Sequence, residues 1–86
     1  MTLRIEKSLD ENRVVFRLSG RISAEHLEEL SVAIEDAGRG AALDLEHLTL
    51  VDVEGVRFLG ACEAKGIELI RCSPYIREWI ARERRT

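Results

Sequence analysis

The stretch Ala41–Gly55, AALDLEHLTLVDVEG, decides how this chain folds. An apolar run over Ala41–Leu45 stops at Glu46 and His47, and a second apolar run then ends on Asp52. The pattern predicts a buried strand, a loop, and then the N-terminus of a helix. Unpaired N–H groups and partial positive charge at such an end favour anionic side chains or phosphate. We therefore expect function at four residues, Asp52, Val53, Glu54 and Gly55.

Upstream of this stretch, the sequence predicts a hairpin. Leu3–Glu6 alternates apolar and polar residues, as a half-buried strand does. Asp10–Asn12 is typical of a turn, and Val14–Leu18 follows as a second strand. Ser19 and Gly20 are expected to end that strand.

A first helix is predicted between the hairpin and the central strand. Ser23 is expected to cap its N-terminus, where acidic residues follow and favour the helix dipole. Gly38 and Gly40 are expected to stop it. Its buried stripe recurs at helical spacing: Leu27, Leu30, Ile34 and Ala37.

Two more helices and one strand complete the chain. The second helix is predicted over Val53–Ala64, with Gly66 after its end, and a fourth strand over Ile67–Ile70. Ser73 and Pro74 then signal the start of a third helix. The inward-facing residues of the second helix are expected to be Val56, Leu59 and Gly60, and Gly60 is expected to allow close approach to the sheet. Those of the third helix are expected to be Ile76, Trp79 and Ile80. Glu78 and Arg82 are expected to pair four residues apart on the third helix.

The element order is thus β-β-α-β-α-β-α within a single domain spanning residues 1–86. After the hairpin, alternating strands and helices require a mixed, mostly parallel sheet with right-handed crossovers. We expect an open α/β fold, with the helices packed on a four-stranded sheet.

Two motifs in this arrangement resemble the STAS domain of anti-sigma factor antagonists. The family's strand ends in a hydrophobic-Leu-Asp-Leu pattern, matched here by Leu43-Asp44-Leu45. It then runs into hydrophobic-Asp-Ser-Ser/Thr-Gly-hydrophobic, which aligns with Val51-Asp52-Val53-Glu54-Gly55-Val56. The resemblance covers nearly the whole chain and implies a STAS-like fold and a role in protein binding and transcription regulation in bacteria.

This chain departs from the family pattern at the position that is phosphorylated in the family. A partner kinase phosphorylates the second hydroxyl residue of the motif, and Glu54 stands in that position, with Val53 in place of the first. Ser23 replaces an Asp that lies near the phosphorylation site in the family. We therefore expect no phosphorylation at Glu54.

Glu54 has two interpretations that are compatible with each other. A phosphoserine carries about −1.5 to −2 charges, so one carboxylate at the same helix end could keep the surface partly in a phosphorylated-like state. Alternatively, Glu54 is an acidic residue that favours the first turn, worth about 0.3–1 kcal/mol. Asp52 is expected to cap the helix, Gly55 to allow a close backbone approach, and Val53 to contact a partner if it points outward.

Composition narrows the function classes. A net charge of −3 argues against a general nucleic-acid binder. No stretch reaches the ~20 apolar residues of a membrane span, and Met1–Glu6 shows no signal-peptide pattern, so a cytoplasmic location is expected. Cys62 and Cys72 lack disulfide or metal spacing and are predicted to be small buried hydrophobes.

A basic carboxyl-terminal segment, residues 71–86, contains five arginines against two glutamates. It is either a patch for an acidic partner or a set of charges that favours a helix C-terminus. The five arginines are Arg71, Arg77, Arg82, Arg84 and Arg85.

Enzyme and cofactor motifs are missing from the sequence. His26 is predicted on an exposed helix face and His47 in a loop, neither with metal-ligand spacing, and no phosphate-binding glycine motif occurs. We expect a non-catalytic module with no cofactor and no metal.

The partner implied by the resemblance is a serine kinase/anti-sigma factor or a related regulator, bound through Asp52–Gly55 and Ser23. The alternative is a STAS-only accessory subunit that binds the ATPase of a lipid-transport ABC system, which the basic third helix would suit. Nucleotide binding and a homodimer through an exposed sheet edge are further candidates.

Overall fold

Four strands and three helices make up the computed structural model, which describes residues 3–38 and 40–85, the latter without the side chain of Arg85. Met1 and Thr2 of the predicted amino-terminal segment, and the Arg85 side chain of the basic segment, lie outside the described residues. The elements follow the predicted order, with a short 3₁₀ turn at Ala24–His26. They are β1 Arg4–Asp10, β2 Arg13–Ile22, α1 Leu27–Ala37, β3 Ala42–Val51, α2 Val53–Ala64, β4 Glu68–Ile70 and α3 Pro74–Arg85.

The sheet has the strand order β1-β2-β3-β4. β1 pairs antiparallel with β2, whereas β2–β3 and β3–β4 pair parallel. The predicted mixed, open, four-stranded sheet is therefore confirmed.

The β1–β2 hairpin is tighter than the predicted turn. Asp10 pairs with Arg13 in the sheet, so the connection consists of Glu11 and Asn12 alone. Both have positive φ, 50° and 71°. Positive φ at both central residues defines a type I′ turn, whose twist matches that of the strands it joins.

The prediction that Ser19 and Gly20 end the second strand was wrong. β2 continues to Ile22, and Gly20 keeps its place in the strand at a φ of 90°. The register against β3 shifts on both sides of Ser19–Gly20. A glycine can adopt the positive φ that such an irregular strand requires, so it bends the strand without ending it.

The predicted loop after Leu45 was also wrong, because β3 runs unbroken to Val51. Arg17 pairs with Asp44 and Ser19 with His47, so β3 carries one extra residue there. That bulge moves the next core residue from the expected second position after Leu45 to the third, Leu48. The polar pair in the sequence therefore marks a bulge, and His47 lies on a strand.

The core lies on one face of the sheet. Phe16, Leu18, Leu43 and Leu45 point from β2 and β3 into a single cluster of buried side chains. Ile34, Leu59 and Ile80 contribute to that cluster from the three helices. All three helices therefore cover this face, and the other face of the sheet carries none of them.

α2 and α3 pack side by side and run in opposite directions. Arg57 near the start of α2 bonds to Glu83 near the end of α3, and Glu63 near the end of α2 bonds to Arg77. A Cβ on Gly60 would meet Ile80 Cγ2 at 3.4 Å. Gly60 therefore allows close approach to α3, which corrects the prediction that it faces the sheet.

The start of α3 matches the sequence signal. The Ser73 hydroxyl accepts the Ile76 N–H at 3.2 Å, and Pro74 occupies the first helical position. Glu78 and Arg82 pair at 2.8 Å, as predicted. Ile76 and Ile80 are buried, and Trp79 is half-buried against the core.

The basic segment is largely neutralised within the chain. Arg77 and Arg84 both pair with Glu63, at 2.6 and 3.4 Å, and Arg82 pairs with Glu78. Arg71 pairs with Asp44. These ion pairs count against an uncompensated basic patch for an acidic partner.

Candidate functional site

The α2 N-terminus begins with Asp52, as predicted. Asp52 has extended backbone, and its Oδ1 accepts the Gly55 N–H at 2.8 Å. Its own carbonyl accepts the Val56 N–H at 2.9 Å, the first bond of the helix. The Asp52 side chain thus satisfies one of the donors that a helix start leaves unpaired, and the Asp52 carbonyl begins the regular helix ladder.

The second oxygen of Asp52 reaches another part of the chain. Oδ2 accepts the Ala24 N–H at 3.3 Å, from the 3₁₀ turn that precedes α1. One carboxylate therefore joins the start of α2 to the β2–α1 connection. This places Ser23, predicted as part of the site, beside the α2 N-terminus.

Ser23 caps the 3₁₀ turn with the help of His26. The Ser23 N–H donates to His26 Nδ1 at 3.4 Å, and the Ser23 hydroxyl lies 3.2 Å from the same nitrogen. The His26 side chain is only 17% exposed. The prediction of an exposed histidine was wrong, because His26 folds back onto its own turn.

Gly55 is buried and has no room for a side chain. A Cβ there would lie 3.0 Å from Val51 Cγ1 and 3.1 Å from Ile22 Cγ2. The predicted close approach is therefore present, between the first turn of α2 and the ends of β2 and β3. Gly55 positions the site and offers no surface to a partner.

Glu54 and Val53 form the exposed part of the site. The Glu54 side chain is 53% exposed and lies 3.5 Å from the guanidinium of Arg57. Arg57 also bonds to Glu83 on α3 at 3.0 Å. Val53, the first residue of α2, is 38% exposed, and Leu50, near the end of β3, is 61% exposed.

These groups form an exposed surface that carries both apolar and charged side chains. Apolar Leu50 and Val53 lie beside a carboxylate at a helix N-terminus, and the line of charges from Glu54 through Arg57 to Glu83 extends the surface onto α3. Within residues 3–38 and 40–85, no group of three His, Cys, Asp or Glu side chains is arranged to hold a metal ion. The same ranges contain no helix of the length and apolarity that a membrane span needs.

The two cysteines are free thiols. Burial raises the pKa of Cys62 to about 11, and burial also raises the pKa of Cys72. A raised pKa keeps a thiol protonated at neutral pH and lowers its reactivity. Cys62 is buried as predicted, whereas Cys72 is only half-buried.

Sequence reasoning missed a second polar cluster around Asp44. Asp44 is 1% exposed on the face of the sheet opposite the helices. Arg71 donates to both of its oxygens, the Glu46 N–H donates to Oδ1 at 3.1 Å, and Arg17 lies 3.8 Å away. The Arg71 hydrogen bond, with help from that N–H, holds the pKa of Asp44 below its usual value, against the effect of burial.

No protein-family model and no curated protein sequence matches this chain. Solved structures do match. The anti-sigma factor antagonist SpoIIAA in its unphosphorylated form superposes with a TM-score of 0.66, at 24% identity, over 95% of this chain and 80% of that one. The chain has the STAS fold.

Two further structures agree with this assignment. The STAS domain of an anti-sigma factor antagonist from Rhodobacter sphaeroides gives a TM-score of 0.61 at 15% identity, over 80% of this chain and 86% of that one. An uncharacterised protein with a SpoIIAA-like fold from Shewanella loihica gives 0.58 at 17% identity, over 95% and 75%. At identities this low, the structural similarity establishes the STAS fold alone.

Proposed function

We propose that this chain is a non-catalytic protein-interaction module of the anti-sigma factor antagonist type. It binds a serine kinase/anti-sigma factor or a related regulator through the α2 N-terminus, in a cytoplasmic pathway that controls transcription. The observation that carries the proposal is the exposed Glu54 on a STAS fold, in the position that matches the family's phosphorylated residue, beside exposed Val53.

The contact surface is formed by Val53 and Glu54, and it is held in place by Asp52. Because Asp52 bonds to both Gly55 and Ala24, the first turn of α2 and the Ser23 segment keep one geometry. A preformed surface lowers the ordering cost of binding. Ser23 is half-buried and Gly55 is buried, so both support the surface more than they touch the partner.

This surface is not switched by phosphorylation at its centre. Residues 52–56 contain no serine, threonine or tyrosine, and Glu54 supplies a permanent negative charge in their place. A carboxylate has one charge and two oxygens, less than a phosphate, and Arg57 partly offsets it. The proposal is therefore constitutive binding.

The alternative of an accessory subunit that grips an ABC-system ATPase has less support. That proposal relied on a basic third helix, and Arg77, Arg82 and Arg84 are each paired with a glutamate of the same chain.

The test is capture of partners from a lysate of the source cell, with identification by mass spectrometry. Wild type, Glu54→Ser and Glu29→Ser are compared side by side, Glu29 being an exposed acidic residue on α1 that serves as the control. We expect a kinase-like anti-sigma factor whose recovery changes with Glu54→Ser and stays constant with Glu29→Ser.

Two results would overturn the proposal. Recovery of an ATPase or an unrelated protein, equally by all three variants, would move the interface elsewhere. A phosphate that the recovered kinase and ATP place on Ser23 of the wild type, and that changes recovery of the partner, would contradict constitutive binding.

A further inference from the structure

β1 lies at an edge of the sheet and carries an exposed apolar side chain. It pairs with β2 on one side only, within the strand order β1-β2-β3-β4. Leu9 is 75% exposed, the largest exposed fraction among the exposed large hydrophobic residues of the described chain. An unpaired edge strand is a template for pairing with another strand.

The hairpin turn determines which backbone groups of β1 face outward. In a two-residue hairpin, the residues that flank the turn, here Asp10 and Arg13, form a hydrogen-bonded pair. Backbone groups alternate along a strand, so those of Ile5, Lys7 and Leu9 point away from β2. A second strand can bond to these three residues.

We propose that a second copy of this chain occupies this edge, antiparallel, with the two-fold axis at Lys7. In this register Arg4 of each copy lies opposite Asp10 of the other, and Ile5 lies opposite Leu9. The charges are complementary and the apolar side chains meet on the face that the helices cover. Opposite charges and apolar pairs directly across two strands stabilise the pairing.

The neighbouring registers are less favourable. An axis at Glu6 places Glu6 opposite itself and Ile5 opposite Lys7. An axis at Ser8 places Glu6 opposite Asp10 and Lys7 opposite Leu9. Registers in which the axis falls between two residues would place side chains of opposite sheet faces against each other. Such registers cannot form a continuous sheet.

The favoured register has one cost, the two Lys7 side chains at the axis. Like charges directly opposite each other are destabilising. Their long apolar stems can extend over the Ile5 and Leu9 pairs on either side while the ammonium groups stay in water. The dimer is therefore weakened by Lys7, and loss of that charge should tighten it.

The test is sedimentation equilibrium of wild type, Arg4→Asp, Asp10→Arg and the double variant with both changes. Each single change places like charges opposite each other twice in the symmetric dimer, and we expect dimer affinity to fall about tenfold. The double variant restores both attractions, and its affinity should return to within about threefold of wild type. Lys7→Thr should bind more tightly than wild type.

Controls separate the interface from the fold. Asp10→Arg also places an arginine opposite Arg13 within the hairpin, but the double variant shares that cost, so its recovery reports on the interface. Asp36 is an exposed residue on α1, and Asp36→Arg should leave the dimer affinity unchanged. A wild type that sediments as a monomer at all concentrations overturns the proposal, as does a dimer that both single variants leave intact or that the double variant fails to restore.

Discussion

Asp44 lies near the start of β3 and Asp52 directly follows its end, and the two carboxylates have different kinds of partner. Asp44 is almost fully buried and depends on Arg71, which follows β4. Asp52, just after β3, bonds to Gly55 three residues away and to Ala24. One aspartate stabilises the sheet through a distant partner, and the other shapes the surface where we place function.

The difference explains what a sequence can reveal about each residue. The Asp52 bond to Gly55 is local, so a helix-cap pattern predicts it. The Asp44 bond joins residues 27 positions apart, and no local pattern contains both of them. The same contrast predicts that Asp44 matters more for stability and Asp52 more for the shape of the site.

The largest expected effect is that of Asp44→Ala. The change removes the carboxylate that accepts hydrogen bonds from Arg71 and from the Glu46 N–H. It also leaves a gap beside the packed sheet. Because Arg71 is 54% exposed and can return to water, we expect a loss of about 2–3 kcal/mol. Urea unfolding measures it, and a loss below that of Asp52→Ala would contradict the comparison.

The pH dependence of stability sharpens the same point. The lowered pKa of Asp44 in the folded chain means that the unfolded chain binds this proton more readily. The stabilisation is therefore present above the unfolded-state pKa of about 3.9 and is lost as the pH falls through the lower folded-state pKa. Asp44→Asn should flatten the acid limb of the stability curve. An unchanged acid limb in urea unfolding would show that Asp44 does not contribute to it.

Asp52→Ala should cost about 1–2 kcal/mol, a typical value for loss of a helix cap. The change also releases the Ala24 N–H, so the β2–α1 connection should loosen with the start of α2. Hydrogen exchange should show faster exchange at Ala24 and Gly55 and little change at Leu43. Equal protection at all three sites would mean that Asp52 does not join the two segments.

Two glycines on α2 provide a matched pair. Gly55→Ala should destabilise the protein by about 1 kcal/mol, because the contacts of 3.0 and 3.1 Å cost more than the gain in helix propensity. Gly60→Ala meets its nearest atom at 3.4 Å, an ordinary contact, and should stabilise by about 0.5 kcal/mol. Thermal unfolding gives both signs, and a shared sign would contradict the packing described for α2.

The smallest effect on stability is expected from Glu54→Gln. The side chain is half exposed and its ion pair with Arg57 is a surface pair, so a loss of only about 0.3–1 kcal/mol is expected. Partner binding should nevertheless change. A larger loss of stability in urea unfolding, with binding unaffected, would leave Glu54 as a helix-terminus residue.

The sequence predicted α2 well because its signals are local. Asp52, the helical run and Gly66 gave the bounds Val53–Ala64 that the structure shows. Ser73 and Pro74 likewise marked the start of α3. The number of strands and the order of elements along the chain were also predicted, because each strand shows as a local apolar run.

The errors share a different cause, which is contact with residues far along the chain. Glu46 and His47 looked like a loop, but β3 continues through them, pairs with β2 on both sides and carries the extra residue as a bulge. A side-chain hydrogen bond also joins the two strands beside the second register shift, because the Thr49 hydroxyl donates to the Gly20 carbonyl at 2.8 Å. The orientation of Gly60 toward α3 depends on helix packing, which no local pattern in α2 describes.

The most direct test of the proposed interface is the affinity of the recovered regulator for Val53→Asp and Val32→Asp. Both valines are exposed, at 38% and 53%, but Val32 lies on α1 and Val53 is in the first turn of α2. Calorimetric titration should show binding weakened at least about tenfold by Val53→Asp and unchanged by Val32→Asp. Equal affinity for both variants would show that the regulator binds elsewhere and would contradict the account.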